Sequence, residues 1–392
     1  MPKLLFAAYG GGHARLLAPV AHALKLKGYD IHVLGLTLGK SVFEQEGLFT
    51  YGLSDILKHS NYWDEIKKLG EALMLEDEQH PKISPLDSIA YFGSGIFDLI
   101  KSHGRSEAFE MYRLYGRRVF DPFHSAVEIL KITKCDLLIT TNAPRMEKAL
   151  VKAAIHNELK SLVVVDSFAT IEKAWLSQDG YADKVCVFHG AVKKLLINEG
   201  RDDKDIIVTG NPSFDVLAKV TMRSRNSGLP HVLYLSQNEG RIDNHNSSVL
   251  PDSIPLGVIE TLSKGVKNNK FTAEVRFHPN QGDLIRKKAI GLIPVNFSSR
   301  LEDVISRADV VVTASSSAGI QAQLLGLPLV QIKWSIRNGL VPFDLIGPVW
   351  KAYDEEDLLL QIRLASESKK SPIDKNLGSS TDAVVTQIEE LI

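Results

Sequence analysis

The chain has 392 residues, 44% of them hydrophobic and 24% charged, a balance that supports a soluble protein of two or three domains with no need of disulfide or metal staples. With 46 Lys+Arg against 47 Asp+Glu the net charge is −1, which argues against a dedicated nucleic-acid binder. The two cysteines, Cys135 and Cys186, lack metal-ligand spacing and fit buried free thiols, and no apolar run approaches the ~20 residues of a membrane span.

The first element is an apolar strand, Lys3–Tyr9, too short for a signal-peptide core, so a cytoplasmic protein is expected, with at most a peripheral membrane contact. It runs into Gly10-Gly11-Gly12-His13-Ala14-Arg15 and then a helix, Ala14 to Lys27, with Leu17, Val20, Ala21 and Leu24 on one face. Consecutive glycines let the backbone turn tightly and approach a ligand, and a helix start favours negative charge. His13 stands where a neutral imidazole can take a hydroxyl proton. A plain tight turn with His13 as helix cap is the alternative. The dinucleotide fingerprint is absent, because Arg15 occupies its third glycine position, so no nicotinamide or flavin cofactor is expected.

Further strands are expected at Ile31–Leu36, Cys135–Thr140, Ser161–Val165, Lys184–Phe188 and Asp205–Val208, nearly continuously apolar as in parallel sheets buried on both faces. Asn142, Arg145 and Asp166 follow strand ends and are candidates to line a site, with Asp166 the second candidate base after His13. Residues 56–133 break the rhythm as a helical insertion, with two long segments near 60–78 and 104–132. The second carries Arg105, Arg113, Arg117 and Arg118 among aromatic residues. It is either a packing hairpin or a surface for an anionic or lipid-linked acceptor. Asp203-Lys204-Asp205 is expected to be a solvated charged loop, and no metal is expected.

Met222–Pro230 is polar and ends in Gly and Pro, as a linker does. A second α/β series follows: His231–Ser236, Thr272–Phe277, Ile293–Phe297, Asp309–Thr313 and Pro328–Ile332. The expected division is therefore an α/β domain over 1–212, a linker over 213–230, a second α/β domain over 231–380 and a final amphipathic helix over 381–392. In the second domain Arg276-Phe277-His278-Pro279 ends a strand, and His278 can donate to a phosphate oxygen. Arg276 can do likewise or pack. Ala314-Ser315-Ser316-Ser317 joins a strand to a helix, where hydroxyls and free N–H groups can surround a phosphate. Gln237, in Leu235–Gly240, ends a third strand at the same edge.

These motifs, with Val208–Pro212 and the run from Ala308 through Pro328, resemble the GT-B superfamily of nucleotide-sugar glycosyltransferases. Within it, His-Pro and the serine cluster resemble bacterial capsule and lipopolysaccharide transferases with CMP-activated donors, or CDP-glycerol-type transferases. The resemblance implies two Rossmann-like domains with parallel sheets facing a central cleft. It implies that His278 and Ser315, Ser316 and Ser317 hold the donor phosphate, with Arg276, Gln237 and Gln321 nearby. His13, Gly11, Gly12, Arg15, Asn142 and Arg145 would lie on the acceptor side. Gln321 stands where many UDP-sugar enzymes carry a ribose-binding Glu, which leaves the donor base open between CMP and UDP. The expected activity is metal-independent transfer of a sugar from a nucleotide donor to a glycan or lipid-linked acceptor in cell-surface polysaccharide synthesis, without a cofactor. A nucleotide-sugar 2-epimerase or hydrolase on the same fold, and a non-catalytic nucleotide-sugar-binding protein, are the alternatives. A homo-oligomer is compatible with all three.

Overall fold

The computed structural model describes residues 1–74, 80–223, 228–242, 249–250, 252–278, 281–296, 299–371, 373–374 and 377–392. The chain divides into two compact units, Met1–Asp215 with Ser379–Ile392, and Val216–Gly378. Part of the expected linker, 224–227, and Pro279 of the His-Pro pair lie outside the described residues.

In the first unit, β1 (Lys3–Tyr9), β2 (Asp30–Leu36), β3 (Leu137–Thr141), β4 (Ser161–Val164), β5 (Lys184–Val187) and β6 (Ile206–Val208) form one sheet, ordered β2-β1-β3-β4-β5-β6. Every pairing in it is parallel. The long apolar runs are explained by this arrangement, since β1, β3 and β4 are buried on both faces. The helix Gly11–Leu26 lays Leu16, Leu17, Val20, Ala21 and Leu24 on the core. The last helix, Ser380–Glu389, adds Val384, Val385 and Ile388 to that same core. Asp215 fixes its start by accepting from the N–H groups of Ser380 and Thr381 and from the Thr381 hydroxyl, at 3.0, 2.8 and 2.6 Å.

The helical stretch between β2 and β3 includes the helices Trp63–Met74, Pro85–His103, Arg105–Tyr115 and Phe123–Thr133. The helix Pro85–His103 falls between the two segments expected from the sequence, yet it is the most deeply buried of the set. Its apolar periodicity is diluted by Ser88, Gly93, Ser94 and Gly95, and the two glycines are what its packing requires. A Cβ on Gly93 would strike the carbonyl oxygen of Ile66, and one on Gly70 the carbonyl oxygen of Ile89. The backbones therefore cross closely, with no room for side chains at the crossing. Asp98, on the same helix, is buried and caps the helix Phe123–Thr133 through the N–H groups of His124 and Ser125.

In the second unit, β7 (His231–Ser236) precedes a small antiparallel pair, β8 (Arg241–Ile242) and β9 (Val249–Leu250). Then come β10 (Thr272–Phe277), β11 (Val295–Asn296), β12 (Val310–Thr313), β13 (Leu329–Ile332) and β14 (Val349–Ala352). The main sheet is parallel and ordered β11-β10-β7-β12-β13-β14. With the small pair set aside this is the order 3-2-1-4-5-6 of a dinucleotide-type Rossmann sheet. β14 is an addition to the expected strands, being short, half-buried and at an edge. The fold class is α/β, with two parallel six-stranded sheets and interleaved helices.

Strand order reverses between β1 and β3 in the first sheet and between β7 and β12 in the second. In open parallel sheets ligands bind at the carboxyl ends of the strands beside such a reversal.

Candidate functional site

At the reversal of the first sheet, Gly10 carries the turn with φ 54°, and the helix begins at Gly11. His13 therefore sits in the first helical turn, with its Nδ1 2.5 Å from the Thr141 hydroxyl at the end of β3. That hydroxyl lies 2.5 Å from Oε2 of Glu147, which also accepts from the Thr141 N–H at 2.8 Å. The other carboxylate oxygen of Glu147 accepts from the Tyr9 N–H at 2.7 Å. Glu147 is fully buried. Burial pushes its pKa up, and the nearby His13, the Thr141 hydroxyl and the two backbone N–H groups oppose that rise.

Proton counting gives this line two states. With Glu147 ionised, the single Thr141 hydroxyl proton goes to the carboxylate. Thr141 then accepts from His13 Nδ1–H, and the Nε2 lone pair is free. With Glu147 protonated, the sequence of donors reverses and Nε2 carries the ring proton. The ionised state thus makes Nε2 a base. Nε2 also lies 3.8 Å from Oδ2 of Asp166.

Asp166 follows β4 and is itself held. Its N–H donates to Asn142 Oδ1 at 3.0 Å, and its carbonyl accepts from Asn211 Nδ2 at 2.9 Å. Asn142 is buried and orients Asp166 in this structure. Glu172 is shifted upward chiefly by burial and further by the charge of Asp166, while His13 opposes the shift. Gly12 and Arg15 are exposed and Gly11 half-buried. Arg145 begins the helix Met146–His156 with its guanidinium 5.6 Å from the centre of the Tyr9 ring.

At the reversal of the second sheet, the three serines behave differently from one another. Ser315 is turned inward, 3.0 Å from Gln237 Oε1 and 2.5 Å from Glu239 Oε1. Ser316 accepts from the Ala318 N–H at 3.4 Å, and Ser317 is exposed at the helix start with no capping bond. Glu239 is buried, and that burial raises its pKa against the pull of Ser315, Arg337 and Ser335. His278 follows β10 with its N–H on the Ser236 carbonyl, and burial followed by the Arg337 charge holds its pKa down. Arg276 is spent on the Ser299 carbonyl at 2.5 Å, toward the edge strand β11. Gln321 lies one turn into the helix Ala318–Leu324, half-buried. The acidic loop Asp203–Asp205 is paired, Asp203 with Lys193 and Asp205 with Arg201.

Thr141, Glu147, Asn211 and Arg337 are additions to the residues singled out from the sequence. Glu147 had a signal there. It occupies the register of Leu150, Val151 and Ala154, the buried stripe of its helix, and an acid on such a stripe needs dedicated donors. Arg337 has none, being an exposed residue in an irregular segment after β13.

No protein-family model matches the chain, and no curated protein matches it by sequence. Solved structures do match its fold. UDP-GlcNAc 2-epimerase from Neisseria meningitidis, bound to UDP-GlcNAc, is similar with TM-score 0.58 and 12% identity over 99% of this chain and 100% of that one. The Methanocaldococcus jannaschii UDP-GlcNAc 2-epimerase, in complex with UDP-GlcNAc and UDP, gives TM-score 0.61 and 13% identity over 99% of each chain. The calicheamicin glycosyltransferase gives 0.57 and 9% over 100% of this chain and 98% of that one. The class that fold and likeness define is GT-B, the architecture these epimerases and glycosyltransferases share.

Proposed function

We propose that this protein is a nucleotide-sugar enzyme, and in the first reading a metal-independent glycosyltransferase of cell-surface polysaccharide synthesis with a CMP- or UDP-linked donor. The observation that carries the reading is the line His13–Thr141–Glu147 at the strand reversal of the first sheet. It leaves one imidazole nitrogen able to accept a proton and backs the resulting cation with a buried carboxylate. In transfer, Nε2 takes the proton of an acceptor hydroxyl as that oxygen attacks the anomeric carbon, and the nucleotide leaves with its phosphate. Asp166 stabilises the imidazolium from the other side. The second unit holds the leaving phosphate with Ser317, the N–H groups beside it, His278 and Arg337. Such donors lower the barrier because charge grows on the phosphate in the transition state, each by ~2–4 kcal/mol. Acceptor groups on this reading meet Arg15, Gly11, Gly12 and Arg145.

A second reading, nucleotide-sugar 2-epimerase, is supported by the acids gathered about His13. Asp166 lies 3.8 Å from its ring, and Glu172 is close enough to feel both charges. Acid–base groups in that number suit proton removal and return on one sugar. The fold likeness includes such epimerases.

The test is a thermal-shift panel of CMP, CDP, UDP, GDP and ADP on the full chain, followed by NMR of the matching nucleotide-sugar with and without acceptor glycans. A ligand at 100 times its Kd adds ~2.7 kcal/mol to the folded state, so a selective nucleotide stands out. Acceptor-dependent release of nucleotide supports transfer. A change at the sugar 2-position without acceptor supports epimerisation. A panel with no shift at all removes both readings.

A further inference from the structure

We infer that the first unit contains a binding site for an anionic group, a phosphate or a carboxylate, built around Arg145 and Arg117. The inference rests on the proposed function only in assigning that group to the acceptor.

Arg145 is strained where it stands. It has φ 65° and ψ −115°, a conformation that L side chains rarely adopt. Glycine would occupy this turn without penalty, so retaining arginine there has to be compensated by what its side chain does. Packing accounts for part of this, since the guanidinium lies over the Tyr9 ring. The Nε of Arg145, however, is buried with no hydrogen-bond partner among the described residues. A buried, unpartnered donor on a cation is costly unless a ligand supplies the acceptor.

A second cation faces the same aromatic cluster. The Tyr9 ring meets Tyr91 edge-on at 6.2 Å, Tyr91 meets Phe92 at 5.4 Å, and the Arg117 guanidinium lies 5.8 Å from the centre of Phe92. Burial raises the pKa of the Tyr91 phenol, and the charges of Arg145 and then Arg117 both oppose that rise. Among the described residues neither Arg145 nor Arg117 forms an ion pair with a carboxylate, unlike Arg201, Arg300 and Arg307. Two guanidiniums packed on one aromatic cluster, with no carboxylate partner among the described residues, supply charge and donors for a planar or tetrahedral anion. The Tyr9 ring under Arg145 belongs to the residue whose N–H donates to Glu147, which sets Arg145 next to the His13 line and so on the acceptor side of the proposed function.

The chemistry fits an acceptor bearing a phosphate or a uronic-acid carboxylate, and the two sources are separated by the probes. Thermal shift on the full chain with inorganic phosphate and, separately, with galacturonate reads binding directly. Wild type, Arg145→Gly, Arg117→Gln and Arg118→Gln are compared. Arg145→Gly relieves the backbone strain, so its melting temperature without ligand should equal or exceed that of wild type. Its affinity for the preferred anion should fall about tenfold or more, the effect of losing one charge-assisted hydrogen-bonding group. Arg117→Gln should weaken binding several-fold, and Arg118→Gln should bind as wild type. Preference for phosphate marks a phosphorylated or lipid-phosphate acceptor, and preference for galacturonate an acidic sugar. Equal binding by wild type and Arg145→Gly, or no shift of wild type by either anion, overturns the site. The nucleotide panel run on the same proteins judges the proposed function separately. Nucleotide shifts retained in Arg145→Gly with the anion shift lost uphold both. An Arg145-dependent anion shift without any nucleotide shift upholds the site and rejects the nucleotide-sugar reading.

Discussion

Each strand reversal carries a buried acid, after β3 in the first unit and after β7 in the second, and the two are held in different ways. Glu147 in the first unit is gripped by two backbone N–H groups and the Thr141 hydroxyl, donors that cannot rotate away together. Glu239 in the second is held by side chains, chiefly the Ser315 hydroxyl with Ser335, and by the field of Arg337. Backbone donors fix a charge in place and make it a permanent part of a proton line. Side-chain donors can turn to an incoming ligand. The first arrangement suits the proton handling proposed for the first unit, and the second suits the exchange of partners proposed for the other.

The largest effect that tests this contrast is at His13. His13→Ala should lower kcat by about 10²–10⁴-fold, the usual worth of a general base, while leaving nucleotide affinity in the second unit near wild type. Thr141→Val should free the ring from its tautomer, and ¹⁵N shifts of His13 should move from Nδ1-protonated toward a mixture. An Nε2-protonated ring in wild type at neutral pH would break the proposed line. Next in size is the helix crossing that supports the first unit. Gly93→Ala should destabilise it by ~1–3 kcal/mol in urea unfolding, because the new methyl meets a carbonyl rather than a movable side chain. Nucleotide affinity should be unchanged at temperatures where the variant is folded.

A smaller effect is expected at Asp215. Asp215→Ala removes the cap of the final helix and should cost about 1 kcal/mol. The least is a pH effect at Glu239. Its pKa in the fold is raised above the ordinary 4.5, so the native state binds more protons than the unfolded chain between those two values. Stability from this group is therefore present below about pH 4.5 and is lost as pH rises through the raised pKa. Urea unfolding from pH 4 to 8 should show that fall in wild type and a shallower one in Glu239→Gln. Nucleotide affinity should likewise rise as pH falls in wild type, since a protonated Glu239 repels phosphate less, and Glu239→Gln should flatten that dependence.

Continuous apolar runs such as Phe6–Ala8 and Val310–Val312 determined the parallel sheets by themselves, because a strand buried on both faces has no solvent face to write in polar residues. Gly10–His13 and Ser315–Ser317 were legible as strand-to-helix turns for a similarly local reason. Tertiary structure decided the partners. His13 and Thr141 are 128 positions apart and meet only because β1 pairs with β3. Ser315 and Glu239, 76 apart, meet at the reversal where β7 pairs with β12. Local sequence specifies strands and turns through short-range sterics and burial, whereas the order in which strands pair depends on the packing of the whole sheet, and that order selects which strand ends become neighbours.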